Sequence, residues 1–166
     1  MQLLIREVQP GDAEAIVDIL NPIIEEGLYT VLDTPFSVEE ERRFIAEFPS
    51  RGIFLVAAEA ATRRILGFQN LEPFASYTRA FDHVGVMGTY VSPAHQRQGV
   101  ARALFAESFR RARAKGYEKI FTFVRADNPG ALAAYCSHGF SVIGTARRQA
   151  KIRGNYVDEV LIERFL

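Results

Sequence analysis

Residues 91–101 read V-S-P-A-H-Q-R-Q-G-V-A, a proline, a polar run and a glycine set between a β-rich stretch and a helical one. Pro93 cannot go on donating to a sheet ladder, so it ends the strand. The segment from Gln96 to Ala101 then reads as a helix start, whose first N–H groups have no internal acceptor. Those donors, with the positive end of the helix dipole, make a seat for an anion. Gly99 and Ala101 carry almost no side chain, so a phosphate can approach the backbone, and Arg97 adds a charge-assisted contact. By itself the stretch serves equally well as an ordinary strand-to-helix turn with a glycine kept for packing. No Gly-Lys-Ser/Thr follows and the pattern is not G-x-G-x-x-G, which sets aside two common nucleotide loops.

Further along, N-P-G-A-L-A-A-Y-C-S-H-G-F puts Asn128, Ala131 and Tyr135 on successive turns of one short helix that ends at Gly139-Phe140. Asn128 suits its cap and Gly139 its stop. The histidines are scattered at His83, His95 and His138, and Cys136 is the one cysteine, so no metal site is expected. Cys136, in a run of small helical residues, reads as core rather than nucleophile.

These segments need a scaffold, and the flanking patterns supply one. Residues 2–8 read as a strand closed by Pro10-Gly11. Asp12 then caps a helix with Ile16, Ile19, Leu20, Ile23 and Ile24 on its apolar stripe, and Pro22 predicts a bend or break within it. After the loop Y-T-V-L-D-T-P-F, Ser37 and Glu40 form a capping-box signature for a second helix that Pro49 stops. Two strands flank the turn Ala61-Thr62-Arg63, and a third runs from Val84 to Val91. Val100, Leu104, Phe105, Phe109 and Ala112 recur at helical spacing up to Lys115-Gly116. Y-E-K-I-F-T-F-V is a strand by its aromatic and β-branched bias, and two last strands, about 140–149 and 155–164, enclose Arg153-Gly154-Asn155. The pattern gives one α+β domain over residues 1–166 with a mixed, mainly antiparallel sheet.

Composition narrows the role. With 48% hydrophobic and 24% charged residues the chain has the makeup of a globular domain. Twenty basic and twenty acidic residues cancel, which argues against a general nucleic-acid binder. No apolar run approaches a membrane span, and the first dozen residues lack a signal-peptide pattern. A lone cysteine excludes an internal disulfide framework and suits a reducing cytoplasm, the expected location.

The pair Q-x-x-G-x-A after V-S-P, then N-x-x-A-x-x-x-Y-x-x-x-G-F, resembles the GNAT superfamily of acyl-CoA-dependent N-acetyltransferases. The order of elements agrees along nearly the whole chain. A-F-D-H-V-G-V-M-G-T-Y-V-S-P and the ending R-G-N-Y-V-D-E-V are similar to the phosphinothricin and L-amino-acid N-acetyltransferase branch. The resemblance implies a seven-stranded sheet flanked by about four helices, with acetyl-CoA as cosubstrate and direct transfer in a ternary complex. It assigns cofactor contacts to Tyr90, Val91, Gln96, Arg97, Gln98, Gly99, Val100, Ala101, Asn128 and Tyr135. In that family the strand before the loop splays from its neighbour, and a backbone N–H, here that of Val91, faces the thioester oxygen. Tyr135 takes the place of the tyrosine that protonates the departing thiolate. A homodimer paired through the C-terminal strands is implied as well.

The branch carries a glutamate base five residues before that valine, and the position is Val86 here. Valine accepts no proton, so the resemblance supplies no base. Ordered water and backbone carbonyls are the expected relay, with neither Glu72 nor His83 singled out as a replacement. His95 belongs with the cofactor loop and His138 with a helix end. The acceptor pocket is expected from E-E-G-L-Y-T-V-L-D-T-P-F, from F-A-S-Y-T-R-A-F and from the last hairpin. Arg79, Arg147, Arg148 and Arg153 lie nearby; most of them read as solvated surface charges, while one that reaches the pocket can pair bidentately with a carboxylate. The expected acceptor is therefore a small, amino-acid-like primary amine. Acetylation of a protein N-terminus or lysine, and a silent acyl-CoA-binding domain, are the alternatives.

Overall fold

A computed structural model describes all residues 1–166. The chain forms β1 (Leu3–Glu7), α1 (Ala13–Glu26), α2 (Val38–Ala46), β2 (Ile53–Glu59), β3 (Ile65–Pro73), β4 (Val84–Val91), α3 (Val100–Ala114), β5 (Lys119–Arg125), α4 (Pro129–Ser137), β6 (Ser141–Ile152) and β7 (Asn155–Phe165). The seven strands make one sheet in the order β1-β2-β3-β4-β5-β7-β6. Every pairing is antiparallel except β4 with β5.

Strand residues alternate between faces, and the two faces have separate cores. On one side α3 packs Leu104, Phe105 and Phe109 against Leu55, Leu71, Met87, Ile120 and Ile162. On the other, α1 and α2 bring Ile16, Ile24 and Ile45 onto Phe54, Val56 and Phe68. Each fully buried Leu, Ile or Phe contributes ~1.5–3 kcal/mol, so both layers are firmly anchored to β2 and β3. The α1 layer thins toward β5 and β7, which leaves that part of its face open, with Phe123 exposed.

Three local expectations are corrected. The helix carrying Pro22 runs unbroken from Ala13 to Glu26. Pro22 is on its solvent face, and so is Asp18, whose carbonyl loses the bond and can turn to water. Asp12 makes no side-chain cap; its carboxylate is held by Arg6 at 2.7 Å and by the Gln9 N–H at 2.8 Å. Helix α3 begins at Val100, not at Gln96, because Gly99 has φ of 85° and cannot belong to a right-handed helix. The Ser37–Glu40 capping box forms as the sequence predicts.

Candidate active site

The central opening follows from strand register. β4 reaches Val91 and β5 reaches Arg125, yet the two pair only where Val84–Val86 meets Lys119–Phe121. Beyond Val86 they part, and the Thr122 hydroxyl donates to the Met87 carbonyl at 2.7 Å where the ladder stops. The Ser92 N–H donates to the Leu66 carbonyl at 2.9 Å. Amides alternate along an antiparallel ladder, so Val86, Gly88 and Tyr90 turn theirs to β3. Thr89 and Val91 turn theirs into the gap.

At the open end the backbone forms a cradle. No N–H from Gln96 to Arg102 donates to a backbone carbonyl; the first that does is Ala103, to Gly99 at 3.0 Å. Arg97 has φ of 59° and Gly99 of 85°, a left-handed alternation that points successive N–H groups into one concavity. The free donors thus begin in the turn, before the helix. A cleft of about 1090 Å³ joins this cradle to the gap between β4 and β5 and is lined by every residue to which the resemblance assigns a cofactor contact. The cradle's shape, with donors at one end and a slot at the other, fits a pyrophosphate with a pantetheine arm.

The individual side chains differ in what they do there. Asn128 accepts from the Ala131 N–H at 3.1 Å and donates to the Tyr29 carbonyl at 3.3 Å, tying α4 to the loop after α1. Gln98 donates to the Ala94 carbonyl, bracing the turn. Tyr90 stacks on Phe68 at 5.0 Å with its hydroxyl beside Thr30, so its ring belongs to the α1 side. His95 lines the cleft next to Ser92, while His138 stacks on Phe105 at the end of α4.

Tyr135 is buried from the α3 side and donates its hydroxyl to Thr89 Oγ1 at 3.0 Å. Gln69 donates to the same oxygen at 2.7 Å. Burial pushes the Tyr135 pKa up, against the opposing hydrogen bond to Thr89. The phenol therefore stays protonated at neutral pH, the state a proton donor needs. Cys136 is exposed, which corrects the expectation of a core residue. Adjacent helix positions lie about 100° apart, so a Tyr135 turned inward sends Cys136 to solvent.

Thr89, Asn70 and Arg125 carry no signal in the sequence. Arg125 is 6% exposed and donates to the carbonyls of Gly27 at 2.8 Å and Thr30 at 3.1 Å. It fixes the α1–α2 loop over the gap, beside Tyr90. The arginines considered for the acceptor are engaged elsewhere or face solvent. Arg79 is almost fully exposed, Arg148 lies over Tyr156 at 3.9 Å, and Arg153 donates to the Glu25 carbonyl.

A parallel pair that splays at mid-sheet, an N–H cradle at the helix that follows, and a buried tyrosine hydroxyl between them define an acyltransferase-type site. The sequence pattern of the acetyltransferase (GNAT) family matches residues 15–140, and the chain belongs to that family. It is 26% identical over 163 residues to the phosphinothricin N-acetyltransferase of Streptomyces coelicolor, covering 95% of both chains. It is 33% identical over 98 residues to the ribosomal protein bS18-alanine N-acetyltransferase of Escherichia coli, covering 56% of this chain and 62% of that one. Among solved structures, a phosphinothricin acetyltransferase from Sinorhizobium meliloti in complex with AcCoA superposes with a TM-score of 0.90 at 21% identity, covering all of this chain and 89% of the other.

Proposed function

We propose that this protein moves the acetyl group of acetyl-CoA onto the primary amine of a small, amino-acid-like acceptor, directly within a ternary complex, using a single domain over residues 1–166. The observation that carries the reading is the unbroken run of unpaired N–H groups from Gln96 to Arg102 at the mouth of the β4/β5 gap. Acetyl-CoA, when bound, supplies an activated acyl group as a thioester. The cradle holds its phosphates with Arg97 adjacent. The Val91 N–H polarises the carbonyl, and one such fixed donor lowers the barrier by ~3 kcal/mol. Tyr135 gives its proton to the departing sulfur.

The acceptor enters from the opposite face, under the loop that Arg125 pins. Phe74 and Phe121 meet edge to face at 5.8 Å beside that opening, an apolar wall suited to a small organic amine. Similarity to the phosphinothricin enzyme over 95% of both chains supports this acceptor class. Pairing of two copies is assigned to β6, an edge strand with Val142 and Ile143 exposed.

The test is acetyl-CoA turnover against L-amino acids, simple amines and short peptides with free N-termini. Saturable acetylation of a small amine is expected. Turnover with peptides alone would make the protein a protein N-terminal or lysine acetyltransferase, and acetyl-CoA binding with no turnover a silent acyl-CoA-binding domain.

A further inference from the structure

Tyr135 and Thr89 work from the α3 side of the sheet, so the attacking amine, arriving from the α1 side, must lose its proton there. The register of β3 against β4 shows what it meets. Phe68 lies opposite Tyr90, Asn70 opposite Gly88 and Glu72 opposite Val86, all on the α1 face. Gly88 leaves room above β4: a Cβ built on it would come within 2.8 Å of Asn70 Oδ1 and 3.3 Å of the Tyr90 ring. The Asn70 amide oxygen thus leans over the strand beside the gap, and Asn70 makes no side-chain hydrogen bond. Glu72 is half-buried and has neither an ion-pair nor a hydrogen-bond partner.

We propose that Asn70 and Glu72 form the amine seat of this enzyme, with Asn70 Oδ1 orienting the acceptor nitrogen and the Glu72 carboxylate taking its proton. Diagonal neighbours across a strand pair lie ~7–8 Å apart, so a glutamate side chain spans the step from Glu72 to the space over Gly88. The inference rests on the acetyltransferase reading and replaces the water relay expected from the sequence.

The other charged groups on the strands of this face are accounted for, while Glu26 of α1 also lines the cleft and Glu41 of α2 is buried within that helical layer. Val86 and Gly88 of β4 and Phe121 of β5 carry no charge. Glu163 of β7 is paired with Lys119. Glu159, buried opposite Arg125, lies on the far side of β5 from β4. Asp82 pairs with Arg51, and His83 is exposed ahead of β4. Burial alone raises the Glu72 pKa above the usual carboxylate range, which strengthens it as a base near neutrality.

The protons balance. R–NH3⁺ gives one to Glu72, which passes it to solvent. The neutral amine forms the C–N bond as the C–S bond breaks. The second proton lost from nitrogen as the amide forms offsets the one that Tyr135 delivers to sulfur.

The experiment compares wild type, Glu72→Gln, Asn70→Ala and Glu72→Gln/Val86→Glu with ethylamine as the probe amine, recording kcat/KM against pH. Calorimetric acetyl-CoA affinity and melting temperature are measured beside it. Glu72→Gln is expected to lower kcat/KM for ethylamine ~10²–10⁴-fold and erase the limb that the carboxylate sets. Acetyl-CoA affinity should not change. The double variant returns the carboxylate across the same strand pair and should recover much of the loss. Asn70→Ala should raise KM for ethylamine more than it lowers kcat. A Glu72→Gln rate and pH profile equal to wild type would overturn the proposal, as would a parallel loss of acetyl-CoA binding or fold. Should wild type turn over no amine, the proposed function fails, and the seat is judged by 13C NMR titration of Glu72. Ethylammonium is then expected to lower the Glu72 pKa, and an unmoved titration would overturn the seat.

Discussion

The two sides of the sheet solve different problems in different materials. On the α3 side the site is mostly backbone: amides from Gln96 to Arg102, the inward-turned N–H groups of β4, and one hydroxyl. On the α1 side it is side chains held by other side chains, with Arg125 fixing the carbonyls of Gly27 and Thr30 and aromatic rings forming the wall. A phosphate needs only donors in the right curve, so the first side is written in short local signals. An acceptor amine, on the proposed reading, needs shape and a proton path, which only residues distant in sequence can assemble.

The largest expected effect lies where the two sides meet. Tyr135→Phe keeps the ring that packs on Phe105 at 5.3 Å and on Phe140 at 5.1 Å but removes the hydroxyl proposed as the proton donor. Turnover should fall ~10²–10⁴-fold with little change in KM for acetyl-CoA. Steady-state kinetics with the acetyl step shown to limit the rate decides this. Wild-type turnover would make the tyrosine part of the packing alone.

A smaller effect separates shape from conformation in the cradle. A Cβ at Gly99 meets nothing nearer than Arg102 Nη2 at 3.8 Å, so within the protein the constraint there is its φ of 85°. Asparagine tolerates that backbone region better than other residues with a side chain. If conformation alone matters, Gly99→Asn should keep acetyl-CoA affinity. If the phosphates also need the space, Gly99→Asn should lose ~10-fold and Gly99→Glu more, through added repulsion, both read by calorimetry.

The contrast also explains what the sequence could and could not reveal. Gly99, Asn128 and Tyr135 sit in patterns whose spacing is local, and the structure gathers them into one cleft. The β4/β5 gap was legible only through resemblance. The Glu72–Val86 pairing was not legible, because register depends on the whole β3–β4 connection and a one-residue slip would invert the face. Asp12 misled because a capping residue and an ion-pair partner look alike until Arg6 is placed beside it. Cys136 misled for a related reason: small residues mark close packing, but which of them faces in depends on where Tyr135 points.

The smallest expected effect concerns the helical layer on the α1 side of the sheet. Glu41 in α2 is 5% exposed, and burial pushes its carboxyl up to about 7, above a reference value of 4.5. The folded state then holds this proton more tightly than the unfolded chain. Below the unfolded value both states are protonated and folding carries no penalty. As pH rises between the two values the unfolded chain ionises first, so stability falls, and the cost is fully present above about pH 7. Glu41→Gln keeps the shape and removes the charge. At pH 8 it should stabilise the protein by ~1–3 kcal/mol, and near pH 4.5 it should differ little from wild type. Thermal melts at the two pH values check this, with ~2–4 °C expected per kcal/mol for a chain of this size. Because α2 packs on α1 and not on α3, the same change should leave acetyl-CoA affinity untouched at either pH. A loss of stability at pH 8 would mean that the carboxylate is stabilised in the fold, reversing the sign. Altered acetyl-CoA affinity would mean that the two sides are coupled through the sheet rather than independent.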